Sequence, residues 1–369
     1  MIDLRIENLA DLLVNYSVEV KRGDSVVIEG NTLAEPLIKS VYAKVLQAGG
    51  NPFLMVQPTS AEEIYYKYAS KEQLQHISPP EKLVIETYDA RFVLLGIENT
   101  KALTNVDPAK TVLHSSSRRD LMKTSLKREA SGELRWVVAL FPTNATAQDA
   151  EMSLSEYEDF VYGACMPDTD DPIGYWKRFS AKQQKIIDWL EGKKRVCIKG
   201  PETDLRFSIE GRTFINCDGK NNMPDGEVFT GPVEDSMQGN VYFSYPAIYE
   251  DREVVGVRLW FEKGRVVKAS AEKNENFLMK TLDTDEGARY VGEFAIGTNE
   301  GITRFTRQIL FDEKINGSFH LALGAGFPES GSCNESAIHW DMVCDLRQGG
   351  QIWVDEQLLY KDGEFALNL

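Results

Sequence analysis

Four histidines occur in the chain, His76, His114, His320 and His339, and the last two stand in strand-like text beside acids. In SAIHWDMVCDL, His339 and Asp341 are two positions apart. The period of two in an extended chain sends both to one face while Ile338, Trp340 and Met342 take the other. GSFHLALG repeats the arrangement: Phe319, Leu321 and Leu323 share one side, and His320 shares the opposite side with the small Ala322, which leaves a cavity. In GEFAIGTN, Glu293 likewise shares a face with Ala295 while Phe294 and Ile296 pack, and in MPDGEVFTGP a turn at Asp225-Gly226 delivers Glu227 into the following strand. A buried carboxylate or imidazole is costly unless paired or bound to a metal. Placing Glu227, Glu293, His320, His339 and Asp341 around metal accounts for all of these strands together.

Oxygen and nitrogen donors without thiolate favour zinc, cobalt or manganese. Five protein ligands exceed the three that a single catalytic zinc keeps, so two divalent ions roughly 3.5–4 Å apart are expected, able to polarise a carbonyl and acidify a water between them. Each piece also has a plainer reading. A His-x-Asp pair in a strand is often a surface or core pair, and a glutamate after a turn, like Glu227, is often solvated. His76 and His114 fall in polar helical text and read as surface residues. The glycines of IEGNTLAE and GAGFPESG lack the GxxxxGK[ST] spacing of a phosphate loop. Asp24 and Glu35 read as solvated faces.

These residues need a scaffold, and the sequence suggests an α/β fold in two parts. Up to about Pro142, strands DSVVIEG, NPFLMV, RFVLLGI and RWVVALF alternate with helices. One helix carries Leu37, Val41 and Val45 and stops at Gly49-Gly50; further stretches run over 61–76 and 108–128. The alternation builds a layered sheet. The polar MPDTDDP interrupts it before a helix whose Trp176, Phe179, Ile186, Ile187 and Leu190 share a face. The expected division is an N-terminal α/β domain over 1–190 and a mainly β (α+β) metal-binding domain over 191–369, with one helix near Asn274–Leu282. There is no internal repeat.

Composition narrows the partners. Forty-one Lys and Arg oppose 57 Asp and Glu, a net charge of −16, which repels phosphate backbones and anionic lipid and argues against nucleic-acid and membrane partners. Cys165, Cys197, Cys217, Cys333 and Cys344 form no CxxC pair and read as reduced, mostly buried thiols. The N-terminus is patterned as an amphipathic helix and carries acids where a signal peptide carries bases, so a cytoplasmic location is expected.

The same segments, with LADLLVNYSVEVKRGDSVVIEG, ENTKALTNVDP, LRWVVALFPTNATAQDA, MSLSEYEDFVY and TDLRFSIEGR, closely resemble the aminopeptidase T and aminopeptidase S family of metallopeptidases, over nearly the whole chain. The resemblance implies an enzyme that hydrolyses N-terminal residues from peptides with broad side-chain tolerance. It maps the family's ligands onto Glu227, Glu293, His320, His339 and Asp341, and makes Glu293 the bridging carboxylate and a candidate to handle the proton of the attacking water. It also implies a homodimer enclosing its active sites in an internal cavity, which restricts substrates to short or unfolded peptides with a free N-terminus.

One departure stands out. The family usually has a tyrosine seven residues after the His of HLALG, and this chain has Phe327. Losing an oxyanion donor costs on the order of 10²- to 10³-fold in rate. The alternative expectation is therefore a non-catalytic relative that binds metal and peptides, with Phe327 in place of the catalytic Tyr. A third expectation is another two-metal hydrolase acting on phosphoesters or carboxy-terminal bonds, against which the acidic charge weighs. The link between His320 and His339 is also shorter than in some relatives.

Overall fold

The computed structural model describes residues 3–166, 168 and 170–367; Met1 and Ile2 of the N-terminal segment, and Pro167 and Thr169 of the polar MPDTDDP stretch, lie outside them. The fold is mixed α/β. The chain forms two compact units, Met1–Ile173 with Gly219–Pro224, and Gly174–Asp218 with Asp225–Leu369.

The first unit is built on a five-stranded sheet ordered Asn51–Gln57, Ser25–Asn31, Ala90–Gly96, Arg135–Phe141, Asn222–Met223, in which every pairing is parallel. Parallel strands require crossover connections, usually helices, and burial on both faces, which makes their text continuously apolar. Val26, Val27 and Ile28 are fully buried on the second strand of that order. Its crossover helix, Glu35–Ala48, buries Leu37, Ile38, Val41 and Val45 and ends on Gly49 at φ 87°, a left-handed cap that glycine adopts without strain. The NPFLMV strand lies at the sheet edge, and Phe53 and Leu54 are 45% and 43% exposed.

Two helical stretches that the sequence presents as single are broken. Residues 61–76 form Ala61–Tyr68 and Lys71–Gln75, because Ser70 starts a new helix with a capping box: its hydroxyl accepts from the Gln73 amide, and its own amide donates to the Gln73 side chain. Residues 108–128 divide at Arg118 into Pro108–Ser117 and Arg119–Ala130; the Arg118 guanidinium reaches Glu81 at 2.7 Å. His114 is also not a simple surface group. It is partly buried, with its ring edge-on to Tyr65 and Tyr66 and Nδ1 3.2 Å from the Tyr66 hydroxyl.

The second unit holds an eight-stranded antiparallel sheet and a five-stranded antiparallel sheet ordered His339–Asp345, Ser318–Gly324, Val291–Gly297, Glu227–Thr230, Ile215–Cys217. One core joins them: Val196, Ile198, Leu205 and Phe207 from the larger sheet meet Phe294, Ile296, Phe319, Leu321, Leu323, Trp340 and Met342 from the smaller. The Phe207 and Phe294 ring centroids are 4.9 Å apart. The helix Pro172–Leu190, which the sequence boundary at 190 places in the first domain, adds Ile186 and Leu190 to this core, so nearly all of it counts with the second unit. The short strand Asn222–Met223 returns to the first unit's sheet. Among the described residues, no helix is long and apolar enough to cross a membrane.

Candidate metal centre

The five-stranded sheet of the second unit has two unlike faces. Directly paired residues in an antiparallel sheet share a face, and the register pairs Ala295 with His320, Glu293 with Ala322, Ala322 with Asp341, Gly324 with His339 and Gly297 with Glu227. One face therefore carries Glu227, Glu293, His320, His339 and Asp341 among Ala295, Ala322, Gly297 and Gly324. Phe294, Ile296, Phe319, Leu321, Leu323, Trp340 and Met342 form the opposite face, anchored in the core.

A bulge sets the phase of the middle strand. Val291 pairs with Leu323 and Glu293 with Ala322, so Gly292 is an extra residue that lets Val291 turn into the core while Glu293 turns to the polar face. A Cβ on Gly292 would lie 2.4 Å from the carbonyl oxygens of Gly324 and Ala325. At the start of the Glu227 strand, Gly226 has φ 126°, and a Cβ there would meet the Asn299 Cβ at 2.7 Å. Asn299 in turn donates from Nδ2 to the Asp225 carbonyl at 2.7 Å. The turn delivering Glu227 is thus held from both sides.

All five sequence-selected side chains converge. His320 Nε2 lies 3.4 Å from Glu227 Oε2 and 3.5 Å from Glu293 Oε1; His339 Nε2 lies 3.4 Å from Glu293 Oε2 and 3.5 Å from Asp341 Oδ1. Two groupings with metal-ligand spacing follow, Glu227–Glu293–His320 and Glu293–His339–Asp341, and Glu293 belongs to both. Each imidazole is oriented through its other nitrogen: His320 Nδ1 is 3.0 Å from the Glu313 carbonyl and His339 Nδ1 is 2.8 Å from the Ala325 carbonyl. A carbonyl only accepts, so Nδ1 carries the proton and Nε2 is left to face the carboxylates, the arrangement that orients ligating histidines.

These side chains, taken by themselves, set buried charges against one another. Burial drives Glu227 well above the ordinary carboxylate range against the pull of Lys314, and the same residue's Oε2 is buried with no hydrogen-bond partner among the described residues. Burial opposes charge on both imidazoles, yet the surrounding carboxylates push His320 up to about 10 and His339 up to about 12. Burial also opposes ionisation of Asp341 and Glu293, but the imidazoles prevail, taking Asp341 down to about 2 and lowering Glu293 as well. Protons here occupy positions that a divalent cation would take, and cation binding would release them. An orphaned carboxylate oxygen, two tautomer-locked imidazoles and a shared carboxylate fit divalent metal.

The sequence reading missed four neighbours. Cys217 and Asp225 group with Glu227, and Glu313 groups with His320 and Asp341, at the same ligand spacing. Lys314 is fully buried; its ammonium touches Glu313 and lies 3.8 Å from Glu227 Oε1. The run FDEKING looks like a solvated turn, and nothing in its local pattern marks a buried lysine. Phe327 sits at the rim, its ring centroid 5.3 Å from those of both His339 and Phe229.

The α/β fold and its convergent carboxylate and imidazole face describe a class of protein suited to holding divalent metal, and comparison with known sequences identifies the family. The chain belongs to the thermophilic metalloproteases, M29, whose family model matches residues 2–365. It is 24% identical to aminopeptidase 2 of Geobacillus stearothermophilus, covering 99% of this chain and 98% of that protein. It is 25% identical to aminopeptidase T of Thermus thermophilus, covering 97% and 95%. The fold matches the solved structure of wild-type AmpT from Thermus thermophilus with a TM-score of 0.85 over 99% of both chains at 22% identity. A 2,5-dihydroxypyridine dioxygenase from Pseudomonas putida KT2440 shares the fold at a TM-score of 0.62 and 11% identity over 98% of this chain and 97% of that one.

Proposed function

We propose that this metallo-aminopeptidase releases N-terminal residues from peptides using two divalent ions, zinc, cobalt or manganese, held by Glu227, Glu293, His320, His339 and Asp341. The observation that carries the reading is Glu293, whose two carboxylate oxygens address different imidazoles, Oε1 towards His320 and Oε2 towards His339. One carboxylate serving two groupings is the natural bridge between two cations. Charge supports the same count. Asp225, Glu227, Glu293, Glu313 and Asp341, fully ionised, give −5; Lys314 adds +1; the remaining −4 equals the charge that two divalent ions neutralise.

When bound, such ions polarise a scissile carbonyl and lower the pKa of water. The chain's own groups do the rest. His320 and His339 keep Nε2 free through their Nδ1 contacts to backbone carbonyls, and Asp341 and Glu227 supply the outer carboxylates. Glu293 fixes the centre and, by family resemblance, handles the proton of the attacking water. The resemblance also supports a homodimer, which light scattering of the purified protein tests directly.

Turnover of aminoacyl-p-nitroanilides with cobalt, zinc or manganese, before and after chelation, tests the function. Chelation should abolish turnover while circular dichroism stays native, and an N-acetylated peptide should resist cleavage. Turnover that survives chelation, or equal cleavage of the acetylated peptide, would overturn the reading. Phe327 favours a second reading, a metal-dependent peptide binder without turnover, and metal-dependent binding of a peptide that is never cut would establish it.

A further inference from the structure

Among the described residues, four groupings of side chains in the second unit have metal-ligand spacing, but two ions need only two of them. The remaining pair, Cys217–Asp225–Glu227 and Glu313–His320–Asp341, flank the centre and share Glu227, His320 and Asp341 with it. We propose that Lys314 is a resident cation that closes these flanking positions, limits the centre to two metal ions and makes Glu227 present a single oxygen to them. This rests on the two-metal reading above.

The geometry divides Glu227 between two partners. Oε1 faces the Lys314 ammonium at 3.8 Å, and Oε2 faces His320 Nε2 at 3.4 Å with no hydrogen bond of its own. The Lys314 ammonium also touches the Glu313 carboxylate, which takes one oxygen of the second flanking group. The ammonium thus meets one carboxylate of each flanking group, Glu227 of the first and Glu313 of the second. A fully buried lysine is otherwise expensive, and it is tolerated here because carboxylates surround it.

The backbone fixes that position. The Lys314 amide donates to the Phe311 carbonyl at 3.0 Å, and its carbonyl accepts from the Asn299 amide at 3.1 Å. The next residue passes so close to the metal-bearing sheet that a Cβ on Gly297 would meet the Ile315 carbonyl oxygen at 2.2 Å. The fold therefore fixes the backbone from which the buried ammonium extends, and Glu313 and Glu227 receive its end. Cys217 would be the only sulfur donor in any of the four groupings, so a cation entering the position Lys314 guards carries a spectroscopic mark.

Cobalt(II) titration of the chelated full-length protein, read as metal per chain and as thiolate-to-cobalt absorption in the near ultraviolet, tests this. Wild type should bind two equivalents with no thiolate band. Lys314→Met should bind a third equivalent with the band, and Lys314→Met with Cys217→Ser should lose the band. Lys314→Gln serves the same comparison if the methionine variant does not fold. A folded variant that stops at two equivalents without the band overturns the role of Lys314, as does a wild-type protein that shows the band. Wild type that takes up no cobalt refutes instead the two-metal reading beneath it.

Discussion

Phe327 packs its ring against Phe229 and edge-on against His339, with a 71° angle between the Phe327 and His339 planes. The ring therefore lies directly against one of the proposed metal ligands, and the family resemblance expects a tyrosine at this position. Phe327→Tyr should raise kcat by about 10-fold or more, since an oxyanion donor is worth on the order of 10²- to 10³-fold, with KM little changed. An unchanged or lower kcat on several aminoacyl substrates would assign the ring to packing alone. Glu293→Gln probes the opposite case, because it keeps shape and removes the charge shared by both groupings. We expect turnover to fall at least about 10³-fold and bound metal to drop below two per chain, measured by kinetics and elemental analysis. A variant that keeps both ions and full activity would remove Glu293 from the bridge.

At the scale of the strand, the bulge at Gly292 decides whether Glu293 reaches the centre. Gly292→Ala would push a methyl against two backbone carbonyls at 2.4 Å, and neither can move without disturbing the Ala325 carbonyl that orients His339. The cost should be about 1–3 kcal/mol, read from urea denaturation, together with weaker metal retention; wild-type stability and metal content would show that the strand shifts freely. This bulge also marks a limit of legibility in the sequence. Alternation of large apolar and small residues in GSFHLALG and SAIHWDMVCDL revealed both the strands and the face bearing His320, His339 and Asp341, because period-two patterning survives whatever the tertiary context. The phase change at Gly292 was not legible, because it depends on a partner far along the chain. Lys314 and Glu313 were hidden for a related reason: their burial comes from strands and loops closing over a short polar run that, alone, resembles a surface turn. The helix Pro172–Leu190 showed its apolar face plainly but not which core that face would enter.

Across the whole molecule, every proposed metal ligand lies in the second unit, on four strands of one sheet. The demand for a counter-cation is therefore concentrated there: a Glu227 oxygen without a hydrogen-bond partner and a surplus of carboxylates crowd a face whose reverse side is the main core of that unit. Metal bound only to the folded state stabilises by mass action, about 4 kcal/mol at a thousand times the dissociation constant. Chelation should consequently lower the midpoint of thermal unfolding and speed amide exchange in Glu227–Thr230, Val291–Gly297, Ser318–Gly324 and His339–Asp345. The parallel strands Ser25–Asn31 and Ala90–Gly96 contribute no ligand and should exchange at unchanged rates. Hydrogen exchange with and without chelator distinguishes this from a diffuse effect. Equal acceleration in both sets of strands would mean that metal is not stabilising the ligand-bearing sheet in particular, and no acceleration anywhere would mean that these side chains hold themselves together without it.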